Sequence, residues 1–148
     1  MDLSPLFDRV QVGSIELRNR IAHPAVLGNY GAAGLPTDKQ IAYYEARAQG
    51  GAGLIVTEGV SVHPSSQPNP SIVHAYDPMA RDGLTRLAGA VHRHGARVLL
   101  QLWHVGRQQL SRWQTATMGP ARGSMGYLDA SGRAERNRSA RHDPLGAR

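Results

Sequence analysis

Apolar and polar residues alternate at Val10-Gln11-Val12 and again at Ile15-Glu16-Leu17, the period of strands with one buried face. Gly13-Ser14 between them is a two-residue turn that opens with glycine, so the segment reads as a β-hairpin. Arg20 to Val26 is a short strand closed by Pro24, which lacks the N–H that a sheet ladder needs. After a glycine-containing loop from Leu27 to Pro36, the period changes. Ile41, Tyr44 and Ala48 share one helical face, Thr37 and Gln40 have the capping-box spacing, and Gly50-Gly51 supplies the left-handed stop. Leu54-Ile55-Val56 is continuously apolar, as in a strand buried on both faces of a parallel sheet, and runs on to Val62. The Pro-, Ser- and Asn-rich stretch from His63 to Ser71 reads as a loop. A second helix follows, with Asp77 as its cap, Pro78 at its first position, and Ala80, Leu84, Leu87, Ala88 and Val91 on one face. Gly95 ends it, and Arg97 to Trp103 forms the next strand.

Strands alternating with amphipathic helices imply parallel pairing through right-handed crossovers. Ile21, Leu54 and Val98 mark strand starts 33 and 44 residues apart, intervals that suit β/α units. The fold class is therefore α/β: the N-terminal part of a (β/α)8 barrel, with a hairpin and about three β/α units. Three units do not finish such a fold, because a barrel needs about 250 residues and an open three-stranded sheet leaves edges bare.

Composition divides the chain at one place. Residues 108–148 contain no Val, Ile or Phe and only three Leu, and hold seven Arg against three acidic residues. Residues 1–107 hold ten Lys and Arg against eight acids, so the overall charge of +6 comes mostly from the tail. The expected organisation is an incomplete barrel domain over 1–107 and an Arg/Gly/Ser-rich, irregular tail over 108–148. A specific nucleic-acid partner would want a basic face on a structured element, which the first part does not offer. With no cysteine, disulfides, thiolate metal sites and cysteine nucleophiles are excluded. The absence of any long apolar run argues against a membrane span, and the N-terminus does not read as a signal peptide, so the expected location is cytoplasmic.

In parallel β/α folds, ligands bind at the C-terminal ends of the strands. That rule selects Pro24-Ala25-Val26, Glu58-Gly59 and Gln101-Leu102-Trp103-His104, three segments expected side by side on one rim. Ala25 and Gly59 are small enough to let a flat ligand approach the backbone. Gln101 carries a donor and an acceptor, the complement of an amide-like edge. The plain alternatives are that Gln101 serves nearby backbone groups and that His104 and Arg107 order a rim loop. His92 and His94, two apart, do not share a helical face, and His23 and His63 have no partner at ligand spacing, so no metal site is expected.

Leu6-Phe7 followed by Leu17-Arg18-Asn19-Arg20-Ile21 resembles the opening of the Old Yellow Enzyme family of FMN-dependent reductases. Tyr43-Tyr44-Glu45-Ala46-Arg47-Ala48, running through Gly50-Gly51-Ala52-Gly53 into Leu54-Ile55-Val56-Thr57-Glu58-Gly59, resembles that family's first helix and second strand. Gln101-Leu102-Trp103-His104-Val105-Gly106-Arg107 resembles its third-strand motif. The resemblance covers about residues 6–107 and implies a (β/α)8 barrel with a hairpin across its bottom and FMN bound non-covalently at its top. It implies hydride transfer from NAD(P)H through FMN to a small-molecule substrate with an activated alkene, an enone or enoyl thioester. By position, Pro24, Ala25 and Val26 would line the flavin, Gly59 would sit against its ring, and Gln101 would bond its pyrimidine edge. Val26 stands where relatives often have Thr or Cys. Tyr30 lies in the loop where some relatives place a substrate-facing tyrosine, at an offset from Pro24 that does not match.

The family's substrate-gripping His/His or His/Asn pair, its proton-donating tyrosine and its phosphate-holding groups belong to later strands. Catalytic residues are therefore unassigned in this chain. The alternative reading is a non-catalytic remnant, truncated or frame-disrupted after the third strand, with weak or no flavin binding. The substrate, the choice of NADH or NADPH and the oligomeric state are left open by the sequence.

Overall fold

The computed structural model describes residues 1–106 and two short strands beyond them. A 3-10 turn, Ser4–Phe7, leads into the hairpin of β1 (Val10–Val12) and β2 (Ile15–Leu17). Val12 pairs with Ile15, and Gly13 takes φ 59°, the left-handed value a glycine-led turn requires. Then come β3 (Ala22–His23), α1 (Asp38–Gln49), β4 (Leu54–Ser61), β5 (Val73–His74), α2 (Ala80–His92) and β6 (Arg97–Trp103). The pair β7 (Tyr127–Leu128) and β8 (Ala134–Glu135) is antiparallel. Those four residues lie within the tail expected to be irregular. The rest of the expected tail, and Arg107, lie outside the described residues.

Strand β4 is the centre of a parallel sheet. One edge pairs with β6 along its length, and the other pairs with β3 near its start and β5 near its end. The expected parallel β/α arrangement is present, as an open sheet in which, among the described residues, β6 pairs with β4 alone. The short β5 follows the segment read as loop; two residues carry no period from which a strand could be read.

Both helices cover one face of this sheet. Ile41, Tyr44 and Ala48 of α1 meet Ile55 of β4 and Leu87, Ala90 and Val91 of α2, all buried, with Val98 of β6 packed alongside. Thr37 caps α1 by accepting a bond from the Gln40 N–H at 3.2 Å. At the other end Gly51, not Gly50, takes the positive φ, 108°. Helix α2 starts two residues later than its sequence suggests. Asp77 accepts from the Met79 N–H at 2.9 Å, so its carboxylate caps a preceding turn rather than the helix itself.

The apolar run Leu54-Ile55-Val56 is not buried on both faces. Ile55, on the helix side, is fully buried, whereas Leu54 and Val56 are half-buried. The opposite face has no helix layer among the described residues, as befits the inner wall of a barrel that the described strands leave open. Leu99 of β6 is exposed on that face, whereas Leu100 and Leu102 share the side of Val98 and lie beyond the cover of the described helices.

The lower end of the sheet is tied by Arg18 and Asn19, directly after the hairpin. The Arg18 guanidinium donates to the carbonyls of Ala48 (2.8 Å), Ala52 (3.0 Å) and His94 (2.5 Å), at the exits of both helices. Asn19 is buried, donates to the Gly51 carbonyl at 2.8 Å and accepts from the Ile21 N–H at 3.1 Å. Charge-assisted bonds are roughly twice as strong as neutral ones, and a buried carbonyl left unpaired costs about 1–3 kcal/mol. Arg18→Leu should therefore lower stability by about 3 kcal/mol in urea unfolding. Arg18→Lys should recover less than half of that, because a point charge cannot serve three carbonyls as a planar fork does.

Candidate functional site

The carboxyl ends of β3, β4 and β6 form one rim. Pro24 and Val26 follow β3 with exposed side chains, and Ala25 between them is half-buried. Gln101 stands on β6 opposite Gly59 of β4. Its side chain is exposed and makes no hydrogen bond among the described residues, while its backbone N–H reaches Thr57 Oγ1 at 3.4 Å. Since β3 and β6 flank β4, Pro24–Val26 and Gln101 stand about 10 Å apart across it. The sequence-selected residues thus come to one rim, with one qualification. Gly59 is buried, and a Cβ there would lie 2.9 Å from Trp103 Cδ2. The indole of Trp103, not open space for a flat ligand, occupies the room that this glycine leaves.

A β-bulge shapes the middle of the rim. Val56 pairs with Leu99 and Gly59 with Gln101, so Thr57 and Glu58 together oppose Leu100. Both are almost fully buried. The Glu58 carboxylate accepts from the backbone N–H groups of Gly28 (2.8 Å) and Asn29 (2.9 Å) and from the Gln40 amide (2.5 Å). Its own N–H donates to the Tyr44 hydroxyl at 2.7 Å. Burial pushes the Tyr44 phenol up to about 12; the Glu58 N–H pulls it partly back, and the Glu58 charge pushes it up again.

The outer rim is held by a directional chain of polar groups. His104 Nδ1 accepts from the Gly106 N–H at 2.9 Å, which leaves its proton on Nε2, 2.9 Å from Ser65 Oγ. The Ser65 N–H points at His63 Nδ1 at 3.1 Å, marking that nitrogen as an acceptor, so the Ser65 hydroxyl donates to it at 2.8 Å. Ser66 Oγ also accepts from the Val105 N–H at 3.1 Å. The loop after β4 is thereby laced to the end of β6. His104 thus orders a rim loop, the plain reading of its place in the sequence.

Sequence reasoning reached the Glu58 segment through the strand-end rule but assigned the chemistry to Gly59 and left Glu58 without a role. A carboxylate inside an otherwise apolar strand was the available signal. Ser65 and His63 lay in a stretch read only as loop, and nothing in their spacing points to a histidine 39 residues away. Tyr30 packs against Tyr43, with the Lys39 ammonium 4.4 Å from its ring centre. Among the described residues no group of three His, Cys, Asp or Glu side chains is placed to hold a metal ion, and no helix is long and apolar enough to cross a membrane.

Comparison with known proteins agrees with this geometry. Residues 5–141 match the model of the NADH:flavin oxidoreductase / NADH oxidase family, so the likeness continues past Arg107, where the sequence motifs end. N,N-dimethylglycine/sarcosine dehydrogenase of Chromohalobacter salexigens is 34% identical over 120 residues, which are 76% of this chain and 16% of that protein. The structure of morphinone reductase in complex with tetrahydroNAD superposes with a TM-score of 0.71 at 28% identity, covering 88% of this chain and 38% of that one. Old Yellow Enzyme from Pichia sp. AKU4542 gives a TM-score of 0.65 at 28% identity, over 70% of this chain and 27% of its own. The chain therefore spans well under half the length of these relatives.

Two measurements probe the rim. Because the neutral Tyr44 phenol is favoured by folding, its contribution is fully present below pH 10, the ordinary value, and is lost as pH rises through about 12. Wild-type stability should fall by roughly 3 kcal/mol across that window, and Tyr44→Phe should lack this component in alkaline unfolding followed by circular dichroism. Gly59→Ala should cost about 1–3 kcal/mol by overpacking against Trp103 and shift tryptophan emission. Adding Trp103→Leu should recover most of the loss.

Proposed function

We propose that this chain, which belongs to the NADH:flavin oxidoreductase / NADH oxidase family, supplies part of the wall of an FMN site at the carboxyl rim of its sheet. The observation that carries the reading is the pairing of an exposed, unbonded Gln101 amide with the exposed Pro24 and Val26 across β4. A primary amide offers a donor and an acceptor a short distance apart, which suits the alternating polar edge of a flavin pyrimidine ring. Pro24 and Val26 offer apolar surface, and Ala25 anchors them to the chain. Gly59 contributes by seating Trp103, which stiffens the rim beneath the ring. Val26 adds no hydrogen bond, so tuning of the flavin would come from other groups.

Pro24, Val26 and Gln101 would hold FMN, which would supply hydride transfer between NAD(P)H and an activated alkene of a small-molecule substrate. The part played by these residues is to bind and orient the ring and exclude water from one side of it. The complete activity, a cytoplasmic location and the absence of nucleic-acid partners are proposals for the protein as a whole.

A second reading draws on the bare face of the sheet. Leu99 lies exposed on the face away from the helices, beside half-buried Leu54 and Val56, so the described strands present a site open on one side. The second reading is therefore flavin contact without turnover, or no flavin affinity, by these residues.

Titration of the purified chain with FMN, followed by flavin fluorescence and absorbance, tests the proposal. Saturable binding with a shifted visible spectrum is expected, weakened about 10-fold by Gln101→Ala, the equivalent of about 1.4 kcal/mol. Affinity unchanged in Gln101→Ala, or no saturable binding, would count against it.

A further inference from the structure

The loop that carries Val26, Leu27 and Tyr30 into the rim has no regular structure of its own, yet it is held at its middle by a buried charge. Glu58 is 3% exposed, and one of its oxygens receives two consecutive backbone N–H groups, Gly28 at 2.8 Å and Asn29 at 2.9 Å. Consecutive N–H groups converging on one oxygen form an anion-binding nest, here filled by the protein's own carboxylate. Asn29 takes φ 55°, a left-handed conformation that costs a non-glycine residue about 1 kcal/mol and persists only where its surroundings impose it. The second Glu58 oxygen is tied to α1 through Gln40, which is itself buried. Thr37, the cap of α1, donates its hydroxyl to the Tyr30 carbonyl one residue beyond the nest. Loop, helix and central strand therefore meet at a single carboxylate, which projects from the bulge at Thr57-Glu58.

We propose that Glu58 is the positioning residue of the flavin-facing loop: its carboxylate folds the Gly28-Asn29 nest and so sets where Val26 and its neighbours stand against the ring. This rests on the flavin reading above, and Glu58 acts through the loop without touching the cofactor. An alanine or leucine would strip both N–H groups of their acceptor. A glutamine would not. Its carbonyl oxygen can still receive them, and its amide can donate to Gln40, whose own Oε1 is buried and has no partner among the described residues. Glu58→Gln thus keeps an acceptor for both N–H groups but replaces charge-assisted bonds by weaker neutral ones, so the nest opens more often.

The test measures two things on the full chain, amide hydrogen exchange at Gly28 and Asn29 and FMN affinity. Glu58→Gln should speed exchange at both amides and weaken FMN about 5-fold, the difference between charge-assisted and neutral bonds to one nest. Glu58→Leu should do both by about 30-fold, if it folds. Val91→Ala, a core change remote from the loop, should lower thermal stability but alter neither reading, which separates positioning from general stability. Exchange at Gly28 and Asn29 unchanged in Glu58→Gln would overturn the proposal. So would faster exchange with unchanged FMN affinity and an unchanged flavin spectrum. Wild-type protein that binds no FMN would overturn the flavin reading and the positioning role with it. That outcome is recognisable before any variant is made.

Discussion

One guanidinium closes the lower end of this structure, and much else follows from where it sits. Arg18 reaches the carbonyls at the exits of both helices, where aligned peptide dipoles leave partial negative charge. Those exits are also the entrances to β4 and β6. Holding Ala52 and His94 to one side chain fixes where the two strands begin, and hence the pairing of Leu54 with Arg97 and Ile55 with Val98. A register slip of one residue would turn Ile55 and Val98 away from the helices. Arg18 and the buried Leu17 thereby tie the end of the hairpin to the lower end of the sheet. Asn19 adds the same service for the Gly51 carbonyl, and a Cβ on Gly53 would lie 3.0 Å from the Asn19 carbonyl oxygen. The two residues at the centre of the Leu17–Ile21 motif are structural in this sense: they satisfy backbone groups that the turns between helix and strand leave unpaired.

The upper end is organised by polar groups of another kind. Glu58, Thr57, Ser61, Ser65, Ser66, His63 and His104 bind backbone amides, carbonyls and each other, and they hold loops rather than strand starts. The division suits a β/α architecture. Its lower turns are short and need satisfying, whereas its upper loops are long and need shaping before they can meet a ligand. Between these ends lies a thin apolar core of alanines, valines and a few larger residues, packed between two helices and one face of the sheet. The other face has no second layer among the described residues. Exposed Leu99 on β6 and half-buried Leu54 and Val56 mark that surface as one side of a larger enclosure.

Relatives about two to five times as long share this arrangement, and the family likeness runs on to residue 141. In that setting the rim described here is one sector of a ring of loops. The chemical character of the sector is clear: an amide edge on Gln101, apolar surface on Pro24 and Val26, and a rigid base in which Trp103 fills the space beside Gly59.

Much of this was legible in the residues alone. The period change at Thr37, the capping pair Thr37 and Gln40, and the glycine-led turn at Gly13 are local matters, decided by backbone preferences over a few residues. The order of elements then implied parallel pairing, and the strand-end rule placed Pro24–Val26, Gly59 and Gln101 on one rim. What tertiary structure alone decided were contacts between residues far apart in the chain. No pattern in sequence says that Arg18 bonds to a carbonyl 76 residues away, that Ser65 links His63 to His104, or that Trp103 takes the space beside Gly59. The bulge is the sharpest case. Thr57 and Glu58 read as ordinary strand residues, and only pairing against β6 shows that the strand has one residue too many there. Propensity acts on neighbours along the chain; a bulge is a mismatch between two strands and exists only when both are in place.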